Sequence, residues 1–572
     1  MTTDVNKENK QHNLPPQATR KHHLEDYQAT VNSFNWDDAV SALSKAPTGK
    51  WNAAYEVIDR HVEEGYGEKT ALLFTNGVRD EKFSFAEVKN ITDKYAHVLK
   101  KNGVKAGDRV FIFLPKSPDC YFTILAAIKV GAIAGPLFEA FMEEAIKERM
   151  TDCEAQYLIT DKELGKRVPL KEIPSVVKTW NIDELKDEAK WIEDDEESPI
   201  EWLHKEAGML IHYTSGSTGK PKGVLHAHRT VSHHYITGKW VLDIHDEDVY
   251  WCTSHPGWVT GSVYGVFAPW LNRATVVIHG GRFDAQEWYS LIERFGVTIW
   301  YSAPTAFRML MSQGKVYENY DLSSLRHMLS VGEPLNPEVI YWAYEAFGVR
   351  IHDTWWMTET GGHLIVNLPS QVIKPGSMGR PFPGVEVGIL DENNQPLPRG
   401  SVGQLAVKAP WPGLMKEIWK NEEKYKSYFT DNGWYISGDT AYQDEDGYIF
   451  FNGRNDDLIK TSGEQVGPFE VESKLIEHPA VAEAGVIGKP DPIRGEIIKA
   501  FVTLREGYEE SQGLNEEIRL FVKAKLAAHA APREIEVLDE LPKTKISGKI
   551  LRRLLKEKEV NKMRELKGES VV

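Results

Sequence analysis

The sequence predicts an α/β protein: one large layered unit of several subdomains, followed by a small α+β unit. Two observations carry this. Short apolar runs alternate with helix-like stretches from residue 51 to about 453, and 572 residues exceed what one hydrophobic core normally supports. The composition, 41% hydrophobic, 27% charged and 10% aromatic, is that of an ordinary globular chain.

Strands are expected at residues 109–114, 156–159, 209–213, 274–278, 297–301 and 326–330. The longest apolar stretch, 121–141, is broken by Lys129 and Glu139 and rich in Ala and Gly, which suits a buried helix and a following strand rather than a membrane span. Residues 384–408 alternate strand-like runs with turn signals and predict a β-rich subdomain. Beyond 455 the pattern reads helix (470–477), strands (482–487 and 498–503) and helix (516–528). A basic helix over 549–567 ends it, with Ile550, Leu551, Leu554 and Leu555 near one face and its charges solvated. The expected division is a mobile tail over 1–25, rich in Lys, Gln, Asn and His, then a large domain over 26–455 and a small one over 456–572.

Lys and Arg total 68 against 84 Asp and Glu, a net charge of −16 that excludes nucleic acid and acidic membrane surfaces as partners. Cys120, Cys153 and Cys252 are odd in number and lack metal-ligand spacing, so neither a disulfide framework nor a zinc site is expected, and a reducing cytoplasm fits.

Residues 213–223 (YTSGSTGKPKG) follow an apolar strand and suit polyphosphate. Gly216, Gly219 and Gly223 let backbone N–H groups approach an anion; Thr214, Ser215, Ser217 and Thr218 offer hydroxyls, and Lys220 and Lys222 supply charge. It is not a Walker loop: Gly216 and Gly219 are too close, and Pro221 follows Lys220 where a helix-opening hydroxyl is required.

This segment resembles the glycine-rich loop of the adenylate-forming superfamily. Matching segments follow in the family's order: 301–306 (YSAPTA), 330–334 (SVGEP), 353–361 (DTWWMTETG), 435–439 (YISGD), 452–457 (NGRNDD) and 542–549. The resemblance implies an adenylation domain with a small mobile carboxy-terminal domain, ATP and coenzyme A as substrates, and Mg²⁺ as the ion.

It further implies that Gly332, Glu333 and Pro334 cradle adenine, that Asp353, Thr354, Trp355, Trp356, Met357 and Thr358 line the nucleotide's other side, and that Asp439 and Arg454 hold the ribose. Glu359 matches the acidic residue beside the metal. Lys549 matches the lysine that completes adenylate formation, and Asp456 the hinge; Ser462, Gly463 and Thr260 fall on the thioester-forming face. Gln465 stands where a phosphate-binding arginine is usual, and Lys545-Ile546 lengthens the segment before Ser547-Gly548. Phe138-Glu-Ala-Phe141 departs from the glycine-containing pattern at the pantetheine tunnel, and His255 replaces a usual acid. His478, at a weak match to a second magnesium position, reads as structural.

Within the superfamily, residues 257–261 (GWVTG), Val331 and the Trp355-Trp356 pair resemble the acetate-activating ligases. Val259, Thr260 and Val331 become pocket walls and Trp356 a floor that excludes longer acids, each extra methylene costing roughly 1–3 kcal/mol. A lysine acetyltransferase and a deacetylase acting on Lys549 are the implied regulatory partners. A propionate ligase and a catalytically silent nucleotide or coenzyme A sensor are the alternative readings.

Overall fold

The computed structural model describes residues 13–17, 21–193, 196–215, 221–454, 457, 459–461, 464–491, 495–526, 530–543 and 550–566. Its largest sheet has thirteen strands. Six neighbouring strands of it are parallel, in the order Thr70–Thr75, Thr275–His279, Val249–Cys252, Ile299–Ser302, His327–Ser330 and Ile351–Trp355. Such strands are covered on both faces and read as unbroken apolar runs, and Thr275–His279, Ile299–Ser302 and His327–Ser330 are buried throughout. The remaining strands on the far side pair antiparallel; Val387–Leu390 and Gly403–Lys408 among them are the predicted β-rich stretch, and Trp434–Gln443 extends it.

A second sheet of seven strands carries the glycine-rich segment. Gly208–Ser215 lies parallel to Ile133–Pro136 and antiparallel to Pro221–Ala227, with Thr214 opposite Lys222. The apolar stretch at 121–141 divides as expected into the helix Pro118–Lys129 and the strand Ile133–Pro136. Lys129 is buried, and its ammonium lies 2.8 Å from Asp59 and 2.5 Å from Asp93, which is how a charge persists inside an apolar helix. Helix ends follow local chemistry: Ser84 and Glu87 form a capping box on Phe85–Lys101, and Ala285–Phe295 starts on Asp284 and stops at Gly296 with φ +62°.

The expected mobile tail is not free throughout. Leu14 is buried and bridges Ile373, Leu24 is buried, and Asp243 accepts from His23 N and contacts His22 Nδ1, each at 3.0 Å. Apolar Leu14 and Leu24 find seats that a polar composition conceals.

The third sheet, five strands over residues 459–537, has its own core around Val471, Val486, Ile498 and Ile518. The basic helix, Arg552–Leu566, packs the expected apolar residue Leu555 on Ile487, Phe501 and Leu541, but its charges are not all solvated: Arg552 pairs with Glu472. This unit meets the large one where Asn336 Nδ2 donates to Ser473 Oγ at 3.0 Å. Beside that contact, burial and the Glu477 carboxylate push Glu338 up to about 7. A carboxyl raised in the folded state contributes stability below its unfolded value, and this is lost as pH rises towards 7. Glu338→Gln stays neutral, so we expect a gain on the order of 1–3 kcal/mol at pH 8 that vanishes by pH 4, read by thermal unfolding at both values.

Candidate active site

Three adjacent parallel strands end side by side, and their carboxyl ends deliver one part of the expected site, as open α/β sheets do. Ile299–Ser302 brings Tyr301, His327–Ser330 runs into Val331 and Gly332, and Ile351–Trp355 carries Asp353, Thr354 and Trp355 into Trp356. Gly332 has φ +88°, is exposed, and has open space where a Cβ would stand. The Glu333 carboxylate is taken up by Thr305 Oγ1 at 2.7 Å and Arg308 at 2.8 Å, so its side chain is anchored on the helix Pro304–Ser312. Asp353 Oδ1 is buried without a hydrogen-bond partner among the described residues, and burial pushes this carboxyl well above the usual range.

The Trp355 indole donates to Asp439 Oδ2 at 2.8 Å, and Arg454 lies 3.4 Å from Asp439 Oδ1. Asp439 sits on Trp434–Gln443 directly opposite Arg454 on Ile449–Arg454, so strand register pairs the two residues expected at the ribose. Tyr435 donates to Met357 Sδ at 3.7 Å and stacks on Tyr428 with 12° between the rings.

Glu359 is buried and lies 2.8 Å from Lys222 Nζ. The Tyr428 hydroxyl donates to Glu359 at 3.4 Å and also meets Lys222, whose ammonium sits 4.7 Å from the Tyr428 ring centroid. Tyr428 is a site neighbour that sequence reasoning missed; it lies in no matched segment, and only folding brings it to Lys222. Thr214 Oγ1 is buried with no hydrogen-bond partner among the described residues. His226 Nε2 contacts Thr358 O at 2.8 Å, and Met415 N donates to Glu359 O at 2.9 Å, which fixes the backbone around this acid.

Trp356, Val331 and Val259 share one apolar cluster with Tyr264 and Tyr301. Val259 and Thr260 open the short helix Val259–Ser262, half-buried. The chain is tight there: a Cβ on Gly257 would lie 2.4 Å from Phe138 N, and one on Gly261 2.0 Å from His255 O. His255 accepts from Gly257 N at 2.8 Å and contacts Leu114 O at 3.2 Å, while burial lowers its imidazole to about 3. This neutral ring holds the glycine turn.

Gly216, Ser217, Thr218, Gly219 and Lys220, with Asp456, Ser462, Gly463 and Lys549, lie outside the described residues. Ser215 and Gln465 are described as strand backbone, opposite Pro221 and Lys460. Away from the site, His23, Asp243 and His245 bring ligand-type atoms within 4.8 Å of one another. The two imidazoles stack at 4.0 Å with 16° between planes, so their lone pairs run side by side, and Asp243 pairs with Arg326; the trio clasps the amino-terminal segment.

Residues 58–419 match the model of the AMP-binding enzyme family, and residues 470–549 that of the AMP-binding enzyme C-terminal domain. The chain belongs to the AMP-binding enzyme family. It is 58% identical to the acetyl-coenzyme A synthetase of Bacillus subtilis (strain 168), over 96% of this chain and 97% of the relative. The acetyl-coenzyme A synthetase of Pyrobaculum aerophilum is 40% identical, over 91% of this chain and 86% of that protein. The crystal structure of an anthranilate CoA ligase in complex with anthranoyl-AMP superposes with a TM-score of 0.83 at 30% identity, covering 92% of this chain and 99% of that one. The segment 353–361 (DTWWMTETG) ends in Gly361, which has φ +69° and where a Cβ would lie 1.9 Å from Gly413 O. Gly361→Ala is therefore expected to cost more than about 1 kcal/mol, seen as a lowered Tm, and to displace Glu359.

Proposed function

We infer that this chain is an AMP-forming acetate–CoA ligase, which converts acetate, ATP and coenzyme A to acetyl-CoA, AMP and pyrophosphate through acetyl-adenylate. The observation that carries this is the near-full-length identity of 58% with a protein named acetyl-coenzyme A synthetase. Relatives at 40% and 41% identity bear the same name, which favours acetate over propionate and an enzyme over a silent sensor.

In the first half-reaction an acetate oxygen attacks the α-phosphorus and the bond to pyrophosphate breaks. The Lys222 ammonium, paired with Glu359 and backed by Tyr428, is placed to move its charge onto the phosphates, and the Thr214 hydroxyl is an unused buried donor beside the same loop. Asp439, oriented by the Trp355 indole, would accept from the ribose hydroxyls, while Gly332 to Pro334 present backbone to adenine with the Glu333 carboxylate tied back. Gly216 to Lys220 and Gln465 complete the proposed nucleotide contacts. Asp353, Thr354, Met357 and Thr358 complete its other wall.

Mg²⁺ fits this donor set: Glu359 is a buried hard-oxygen ligand beside a phosphate-facing segment, and Mg²⁺ takes one or two carboxylates together with phosphates and waters. When bound it neutralises charge on the phosphates. Lys549 is the proposed cation of the adenylation step. In the second half-reaction the coenzyme A sulfur attacks the acyl carbon and the bond to AMP breaks, with Ser462, Gly463 and Thr260 at the thiol and Asp456 as the hinge between the domains 26–455 and 456–572. No helix among the described residues is long and apolar enough to cross a membrane, and a cytoplasmic setting suits three free cysteines. Acetylation of Lys549 by an acetyltransferase, reversed by a deacetylase, would remove the charge adenylation needs.

Acetate-dependent exchange of labelled pyrophosphate into ATP, without coenzyme A, is expected to exceed that with propionate, butyrate or octanoate; its absence with every acid would overturn the assignment. Lys549→Ala should abolish exchange yet still form acetyl-CoA from preformed acetyl-adenylate, and equal loss of both steps refutes its role. Trp355→Phe keeps the ring but removes the donor to Asp439, and should weaken ATP binding by roughly tenfold in calorimetry.

A further inference from the structure

The indole proposed as the acyl-pocket floor is itself held by a buried hydrogen-bonded chain. Trp356 Nε1 donates to the Tyr301 hydroxyl at 3.4 Å, and that hydroxyl also lies 2.8 Å from Thr354 Oγ1 and 2.9 Å from His363 Nε2. Thr354 Oγ1 donates to Ser330 O at 2.7 Å. Every hydroxyl and ring in this chain is at least nine-tenths buried, so each contact needs one proton and only one.

The proton positions follow by counting. The Thr354 proton goes to Ser330 O, so Thr354 Oγ1 is the acceptor for Tyr301 O–H. Tyr301 has then spent its proton, and the contact with His363 requires that Nε2 carry the hydrogen and donate. Burial, followed by the neighbouring His233 and His234, holds His363 well below the usual imidazole range, so the ring is neutral and Nδ1 is a bare lone pair. Nδ1 is buried with no partner among the described residues. An unpaired acceptor there costs less than an unpaired N–H, and the other tautomer would leave the 2.8 Å contact between Tyr301 and Thr354 without a proton.

His363 is locked in turn. Tyr264 accepts from His363 N at 2.8 Å, lies 3.1 Å from Thr237 Oγ1, and stacks on the His363 ring at 3.8 Å with 10° between planes. The same Tyr264 ring meets the Trp356 indole edge-on at 5.0 Å and 80°. The indole is thus fixed at its nitrogen by Tyr301 and on its face by Tyr264. Through Thr354 the chain also reaches Ser330, the residue before the proposed wall Val331.

We propose that Tyr301 is a positioning residue that sets the depth of the acyl pocket: its hydroxyl, oriented by His363, fixes the Trp356 floor relative to the Val331 wall. The proposal rests on the reading of Trp356 and Val331 as acyl-pocket residues. Neither Tyr301 nor His363 takes part in the chemistry. Removing the hydroxyl takes away the acceptor of the buried Trp356 N–H, which favours turning of the indole from its present plane.

Tyr301→Phe keeps the ring and deletes the hydroxyl. We expect the KM for acetate to rise about tenfold with the KM for ATP unchanged, and the ratio of acetate to butyrate kcat/KM to fall by at least as much. His363→Phe keeps a ring to stack on Tyr264 but cannot donate, and should move the same ratio in the same direction by a smaller factor. It also serves if Tyr301→Phe does not fold. Nitrogen-15 chemical shifts of the wild-type imidazole should place the proton on Nε2. An unchanged acetate-to-butyrate ratio in Tyr301→Phe, or in His363→Phe where Tyr301→Phe does not fold, or a proton on Nδ1, overturns the proposal. Trp356→Gly, run in the same series, separates the two levels: if it fails to admit butyrate, the pocket reading falls. If it admits butyrate while Tyr301→Phe leaves the ratio unmoved, only the role of Tyr301 falls.

Discussion

The adenine and acyl sides of the proposed site depend on the parallel pairing of six neighbouring strands. Parallel neighbours must end at the same edge, because the crossovers return each chain to the opposite edge before the next strand begins. Tyr301, Ser330 and Thr354 come from segments far apart in sequence, yet they meet within hydrogen-bond distance because their strands are consecutive in the sheet. The antiparallel extension then brings Asp439 and Arg454 to the same edge, joined to it through the Trp355 indole.

Electrostatics at this edge are arranged by burial as much as by charge. Glu359 is a buried carboxylate whose companion is Lys222, while Asp353 is a buried carboxyl that burial raises well above its usual range, with no counter-charge beside it among the described residues. The imidazoles against residues 358–363 are neutral: burial lowers His233 and His226 to about 4, and they contact the carbonyls of His363 and Thr358. Among the described residues, Lys222, Glu359, Asp439 and Arg454 are each held by a partner.

Element type was largely readable because buried parallel strands and amphipathic helices write their periods directly into the sequence; the strands near 109, 157, 275, 299 and 327 all lie where apolar runs predict them. What escaped was pairing. Leu14 and Leu24 sit in a segment of polar composition and were read as tail, since two apolar residues give no period. The ion pairing of the basic helix Arg552–Leu566 is hidden from the sequence, because Glu472, the partner of Arg552, lies eighty positions away. Tyr428 and His363 carry no motif, and their importance is purely spatial.

By itself the sequence determined the chemistry on offer: a glycine-rich loop with hydroxyls and lysines, one acid and one aspartate in recognisable contexts, a tryptophan pair, and an apolar pattern that demands a layered α/β fold. These are local properties, set by residue type and spacing along the chain. Only the tertiary structure decided which groups face one another: that Trp355 orients Asp439, that Lys222 pairs with Glu359, and that Tyr301 rather than water receives the Trp356 N–H. Those outcomes depend on strand order and burial, which set distances between residues that the chain itself keeps far apart.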